Sequence, residues 1–259
     1  MKLSILIPTY DYTCYQLVYS LHEQAEALGI TYEIIVAEDG SKSPVSIIAN
    51  HKIIDLSNCR HLIRKENVGR SAIRNILMDE AQGELFIMMD SDGKVVRDDF
   101  LKKYLDAAED HDVVSGGVKC MDVCYDPHKQ LRWKYEKQYE DAHGYIGEQF
   151  RSSCYLVTRE VAEKVRFDER YNQYGFEDVQ YGKDLAAAGY TIFGIDNPIE
   201  ARDLDDNEDF LKKTEDALRS AHLFRNDIGK EVRIVNISEK IKFMKPFFAL
   251  FFFLFKRLM

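Results

Sequence analysis

Carboxylates gather at four places in this sequence, three of them directly after apolar runs. Thr9-Tyr10-Asp11 follows Leu3 to Ile7, Glu38-Asp39-Gly40-Ser41 follows Glu33 to Ala37, and Asp90-Ser91-Asp92-Gly93 follows Leu85 to Met89; the fourth place is the Glu177-Asp178 pair. If the three runs are strands of one open α/β sheet, their acids emerge at its carboxyl edge, where such sheets bind ligands. Converging carboxylates repel unless a cation compensates them. Hard divalent ions take oxygen ligands and keep waters and substrate phosphates in their shell, so the pattern predicts a metal-diphosphate site. Single acids after strands also serve as helix caps and turn formers. That would account for Asp39 or Asp92 alone, but less well for two acids one residue apart after a run as apolar as Leu85 to Met89. An EF-hand does not fit, because Gly93 is fourth from Asp90 where that loop needs glycine at its sixth position. Cys120 and Cys124 by themselves do not make a zinc site.

The elements that must position these acids are legible from periodicity. A strand over Leu3 to Ile7, a helix near Tyr15 to Leu28 with Leu17, Val18, Leu21, Ala25 and Leu28 on one face, and a strand over Glu33 to Ala37 form a βαβ opening. A strand near His61 to Arg64, a helix from about Arg70 to Ala81 and the wholly apolar strand Leu85 to Met89 continue it, the last as a central parallel strand. A helix near Asp98 to Ala108 leads to a strand over Val113 to Val118. A less regular stretch around Trp133 then precedes a strand near Ser153 to Thr158 and a helix near Glu177 to Ala188; helical spacing returns over Glu208 to Ile228. The expected class is α/β, an open and mostly parallel sheet flanked by helices. Residues 1–235 are expected to form one domain, with 1–118 as the open α/β sheet and 119–235 as an elaboration on it.

The stretches ILIPTYD, IVAEDGS, ENVGRSAIRN, FIMMDSD and FDERYNQYGFEDVQYGKDLAAAGY, in this order and spacing, resemble the inverting glycosyltransferases of family 2 with the GT-A fold. The likeness runs over residues 3–195 and is specific for the family, not for the sugar. It implies that Thr9, Tyr10, Glu38 and Asp39 hold the base and ribose of a nucleotide sugar, UDP-linked. Arg70 and Arg74 lie in the segment that helps place the nucleotide and its phosphates. Asp90 and Asp92 match the DxD element, whose second acid binds a Mn2+ or Mg2+ ion bridging the diphosphate. Asp178 matches the general base, with Glu177 beside it in the donor site. Many relatives carry a further metal-binding His after the strand corresponding to Thr191 to Ile195; here that segment reads DNPIEARDLDD, with Asp203 or water as a replacement.

Of 259 residues, 46% are hydrophobic and 31% charged, which excludes disorder as the main state. A net charge of -9 is a poor match to a polyanion, so nucleic acid is not an expected partner. Five cysteines, an odd number with no CxxC pair, read as free thiols of a reducing compartment. The C-terminal segment 236–259 is basic and apolar, with six Phe between positions 247 and 255 flanked by Lys240, Lys242, Lys245, Lys256 and Arg257. As a helix, Pro246 to Phe255 would cover about 15 Å, too short for a hydrocarbon core of about 30 Å. It predicts monotopic attachment to an anionic membrane surface, hence a cytoplasmic protein peripheral on the inner face of the cell membrane. The other explanation is a helix capping the core or another subunit. The leading expectation is a transferase from a nucleotide-sugar donor to a glycan or lipid-linked acceptor. The alternatives are a non-catalytic nucleotide-sugar or membrane-docking protein derived from one, and a sugar-phosphate nucleotidylyltransferase. The latter family has a Gly-rich loop after its first strand, which PTYDYT lacks.

Overall fold

The computed structural model describes residues 2–141, 150–201, 203–229 and 232–247. The chain begins with β1 (Lys2–Thr9), α1 (Tyr15–Leu28), β2 (Thr31–Glu38), α2 (Pro44–His51), β3 (Cys59–Ile63), α3 (Arg70–Glu80) and β4 (Leu85–Met89). It continues through β5 (Gly93–Val95), α4 (Phe100–Ala107), β6 (Val113–Ser115), β7 (Val118–Lys119), α5 (Gln130–Tyr135), β8 (Cys154–Thr158), α6 (Arg159–Lys164) and α7 (Glu177–Ala187). The last elements are β9 (Ile192–Gly194), β10 (Ile199–Ala201), α8 (Asn207–Leu223), α9 (Arg225–Ile228) and α10 (Arg233–Lys240).

Seven strands make one sheet in the order β3-β2-β1-β4-β8-β6-β9, parallel except for β8, which runs antiparallel to both β4 and β6. The expected mostly parallel sheet is therefore present. Strand β4 is buried at all five positions, as a strand covered on both faces must be. Alternation splits each strand between two cores. Leu3, Ile5 and Ile7 of β1 pack with Leu17, Val18 and Leu21 of α1 and with Phe100 and Tyr104 of α4. Leu6 faces the other way, toward Ile73 and Leu77 of α3 and Tyr181 and Leu185 of α7.

The expected continuous strand over Val113 to Val118 is broken, and the break matters for the site. A Cβ on Gly116 would lie 2.3 Å from the Tyr104 hydroxyl and 2.5 Å from the Asn197 carbonyl, and Gly117 has φ of +78°. Only glycine fits this kink, which carries the chain from the large sheet into a second one of order β5-β10-β7. Ala201 of β10 pairs with Gly93 of β5, directly after Asp92. The small sheet thus delivers the segment from Asp203 onward to the same edge as the acids. The helix expected over Glu208 to Ile228 also divides, α8 ending at Leu223 and α9 starting at Arg225. α2 has no counterpart among the expected elements, although Ser43 caps it through the Ser46 amide and Pro44 opens it, a common start signal.

Of the expected C-terminal attachment segment, residues 236–247 are described and 248–259 lie outside the described residues. Among the described residues no helix is long and apolar enough to cross a membrane.

Candidate active site

Register brings three strand ends together. Thr9 pairs with Glu38 across β1 and β2, and Leu6 pairs with Met88 across β1 and β4, so Asp90 comes level with Pro8. Parallel neighbours lie about 4.8 Å apart, which puts Thr9, Asp39 and Asp90 along one short edge. They open onto a cleft of about 460 Å³ lined by Thr9, Tyr10, Tyr12, Asp39, Asn67, Gly69, Arg70, Arg74, Asp90, Asp92, Tyr174 and Lys213, among others.

On the β1–β2 side the backbone is knotted tightly. The Asp39 amide donates to the Thr9 carbonyl at 2.8 Å, and the Asp39 carboxylate accepts from the amides of Val68 and Gly69 at 2.9 and 3.1 Å. Burial pushes the Asp39 carboxyl up even so. Gly40 makes the crossing possible: its φ is +70°, and a Cβ there would meet the Asn67 amide nitrogen at 2.3 Å. Thr9 is buried and Tyr10 exposed at the rim. Glu38 does not line the cleft. It lies fully buried behind it, accepting from Asn50 Nδ2 at 2.8 Å and from the Ser41 hydroxyl, with His61 Nε2 at 3.2 Å. Burial alone would raise its carboxyl, but the bonds from His61, Asn50 and Ser41 hold it below its ordinary range. The structure thus places Glu38 as a support for the Ser41 loop.

On the α3 side, Arg70 is half exposed in the cleft, with its guanidinium 4.7 Å from the Tyr174 ring centre. Arg74 is only 2% exposed. A guanidinium so buried must be paired, and it is: Nη2 donates to Asp90 Oδ1 at 2.9 Å, and Nη1 lies 3.7 Å from Glu177 Oε1. Arg74 therefore ties the first acid of the DxD element to the start of α7.

The start of α7 is strained. Phe176 has φ of +72° and Gly175 of +99°, and a Cβ on Gly175 would lie 2.9 Å from the Cβ of Ala217 on α8. A bulky residue in the left-handed region marks a conformation the surroundings impose. Here the Ser220 hydroxyl on α8 grips the Gly175 carbonyl at 2.8 Å. The turn opens α7 with Glu177 buried and Asp178 half-buried, next to the cleft but not in its lining. Burial, then the neighbouring Glu177 carboxylate, push the Asp178 carboxyl up to about 6, against the pull of the Val179 amide and of Arg74 and Arg70. Phe176 packs with the small cluster of Tyr171, Ala221, Ile228 and Val235.

Asp92 stands at the cleft mouth, exposed to solvent. The surrounding walls, then the Asp90 carboxylate, push its carboxyl up to about 6. Two carboxylates so placed fit a hard divalent ion, which takes oxygen donors and fills its shell with water and phosphate oxygens. Asp203, the expected replacement for the His of relatives, is otherwise engaged: its Oδ2 accepts from the Tyr12 hydroxyl at 2.5 Å. Among the described residues no group of three or more His, Cys, Asp or Glu could hold a metal ion, so Asp90 and Asp92 are the ligands on offer. His222, exposed on α8, lies in a separate open groove with Leu218 and Arg219. No disulfide joins any of the five cysteines.

Lys213 and Tyr174 are among the cleft residues that motif reading passed over. Tyr174 sits within a matched stretch and was legible as an aromatic before the Glu177-Asp178 pair. Lys213 carries no signal, being one lysine on an ordinary helical face.

A family model described as glycosyl transferase family 2 matches residues 4–166. An uncharacterized glycosyltransferase of Haemophilus influenzae is 27% identical over 178 residues, covering 67% of this chain and 69% of that protein. S. aureus TarS 1-349, solved in complex with UDP-GlcNAc, superposes with a TM-score of 0.57 at 18% identity, over 82% of this chain and 64% of that one. The mannosyltransferase PcManGT from Pyrobaculum calidifontis, in complex with GDP-Man and Mn2+, gives 0.52 at 17% identity, over 77% and 56%. The chain thus spans less than two thirds of either solved structure, and at such identities the likeness is one of fold. With more than half of its residues matched by the family model, and with the sheet, the acids and the cleft in the arrangement described, this chain belongs to glycosyl transferase family 2.

Proposed function

We propose that this protein is an inverting glycosyltransferase that moves a sugar from a UDP-linked donor to a hydroxyl of a glycan or lipid-linked acceptor, in polysaccharide or glycoconjugate synthesis. The observation that carries this is the convergence of Thr9, Asp39, Asp90 and Asp92 on one cleft whose far side leads, through Arg74, to Glu177 and Asp178. The UDP-GlcNAc and GDP-Man held by the neighbouring solved structures support a nucleotide-sugar donor.

The nucleoside lies against Thr9, Tyr10 and Asp39, the diphosphate toward Arg70 and the Asp90-Asp92 pair. A Mn2+ or Mg2+ ion held by Asp92 and Asp90 would stabilise, as a Lewis acid, the charge on the leaving diphosphate; the Mn2+ of the mannosyltransferase supports this choice. The acceptor oxygen bonds to the anomeric carbon as the bond to the diphosphate oxygen breaks, and the leaving nucleoside diphosphate keeps that electron pair. The hydroxyl proton passes to Asp178. One displacement inverts the anomeric centre.

A thermal-shift panel of UDP, dTDP, GDP and CMP, with and without Mn2+, tests the reading, since a ligand that binds only the native state raises the midpoint by mass action. UDP should raise it in a metal-dependent way that Asp92→Ala abolishes. No shift with any nucleotide would sink the donor assignment.

We further infer a cytoplasmic protein, peripheral on an anionic membrane face through residues 236–259. Around α10 the exposed apolar residues Ile234, Ile237, Ile241, Phe243 and Phe247 alternate with Arg233, Lys240, Lys242 and Lys245, a combination suited to a lipid interface.

A further inference from the structure

The cleft already holds two carboxylates beside the place a donor diphosphate would take. Asp90 and Asp92 face it, Arg74 is already engaged by Asp90 and Glu177, and Arg70 Nη1 lies 3.8 Å from Glu177 Oε1. A diphosphate beside these groups adds further charge, which one divalent ion and Arg74 together leave uncompensated. Relatives with a third metal-binding side chain have an additional anchor for the ion; among the described residues none stands here.

The deficit falls next to two cations that share one aromatic ring. Arg70 at the start of α3 lies 4.7 Å from the Tyr174 ring centre, and Lys213 Nζ, on α8, lies 5.8 Å from it. Arg70, Tyr174, Lys213 and Asp92 all line the cleft. Lys213 Nζ donates to Asp205 Oδ1 at 2.6 Å while the side chain stays 39% exposed. An ammonium has three donors, so Asp205 orients it and leaves two for another oxygen. The segment that carries it is fixed to the opposite wall, since Asp203 Oδ2 accepts from the Tyr12 hydroxyl. Lys213 comes from the far part of the chain and Arg70 from the near part, so this arrangement exists only when α8 is docked.

Resting on the nucleotide-sugar reading above, we propose that Lys213 is a diphosphate-binding residue: with Arg70 on the shared Tyr174 ring it neutralises the donor's phosphates, and it compensates for the missing third side-chain anchor of the metal. It touches the leaving group and not the nucleoside.

Calorimetric binding of UDP, UMP and uridine to the wild type, Lys213→Ala, Lys213→Gln and Lys213→Arg, with and without Mn2+, separates the possibilities. If the nucleotide panel selects another base, its diphosphate, monophosphate and nucleoside take their place. Loss of one charged hydrogen bond predicts about 10- to 100-fold weaker diphosphate binding in Lys213→Ala and Lys213→Gln. Nucleoside affinity should be unchanged, Lys213→Arg should stay close to wild type, and the loss should be larger without Mn2+. Position 213 is a partly exposed helix site where alanine is the best helix former, and the Gln variant keeps a polar hydrogen-bonding side chain without the charge. Equal weakening of nucleoside and diphosphate would overturn the proposal in favour of a structural role for Lys213. Unchanged diphosphate affinity would overturn it while leaving the donor reading intact. If the wild type binds none of the diphosphates, the donor reading fails first and this proposal with it.

Discussion

Asp178 shows how a single residue is tuned by its neighbours. With its pKa at about 6, against 3.8 ordinarily, it is ionised near neutrality yet basic enough to take a proton, the compromise general bases favour. If Asp178 is the base, transfer should fall as pH drops below about 6. Asp178→Asn should lower kcat by about 10² to 10⁴-fold with UDP binding retained. The stability sign follows from the same shift. The folded protein holds the proton more tightly than the unfolded chain, so this contribution is full below about pH 4 and is lost as pH rises through about 6. Asp178→Asn should therefore melt higher than the wild type at pH 7 to 8, with the difference vanishing near pH 4. Differential scanning calorimetry across pH reads this directly; equal melting points at pH 8 would count against a desolvated carboxylate. Asp178 could be matched from its motif in sequence. The linkage of Arg74 to both Asp90 and Glu177 could not, because it brings acids from two separate stretches of the chain onto one guanidinium.

At the level of elements, the site depends on where α7 begins, and that depends on α8. Gly175 lets the turn lie against Ala217, and Ser220 holds its carbonyl. Gly175→Ala adds a Cβ at φ of +99° facing the α8 backbone at 3.1 Å, a cost of about 1–3 kcal/mol. A domain of this size loses about 2–4 °C per kcal/mol, so the melting point should fall by several degrees. Turnover should fall more than nucleotide binding, because Glu177 and Asp178 move while Thr9 and Asp39 do not. Steady-state kinetics beside a melting curve would decide; equal turnover would show that the turn does not set the geometry. The helices α1, α3 and α7 were readable at nearly their observed bounds because each has an apolar stripe of helical period. The division of Val113 to Val118 between two sheets was not, since it depends on Tyr104 and Asn197 crowding Gly116.

At the scale of the molecule, the acidic domain carries a basic, apolar C-terminal face. Deleting residues 245–259 should abolish flotation with liposomes containing anionic lipid while leaving the UDP-induced thermal shift in place. Persistent flotation would remove the membrane assignment and return the exposed Ile and Phe side chains to a protein partner. High salt should weaken flotation of the intact chain, since the basic residues act through a screened field.

By itself the sequence determined the α/β class, the order of the sheet-forming runs and the identity of the acids at their ends, because burial periodicity and turn chemistry are local. It also marked Asp178 and the DxD pair, whose spacing is short. Only the tertiary structure decided that Glu38 supports the cleft from behind, that Arg74 is an internal tie between two acids, and that Asp203 closes on Tyr12. Only it brought Lys213 to the Tyr174 ring. Each of these depends on contacts between elements distant in the chain, where side-chain type says what a residue can do and packing alone says what it faces.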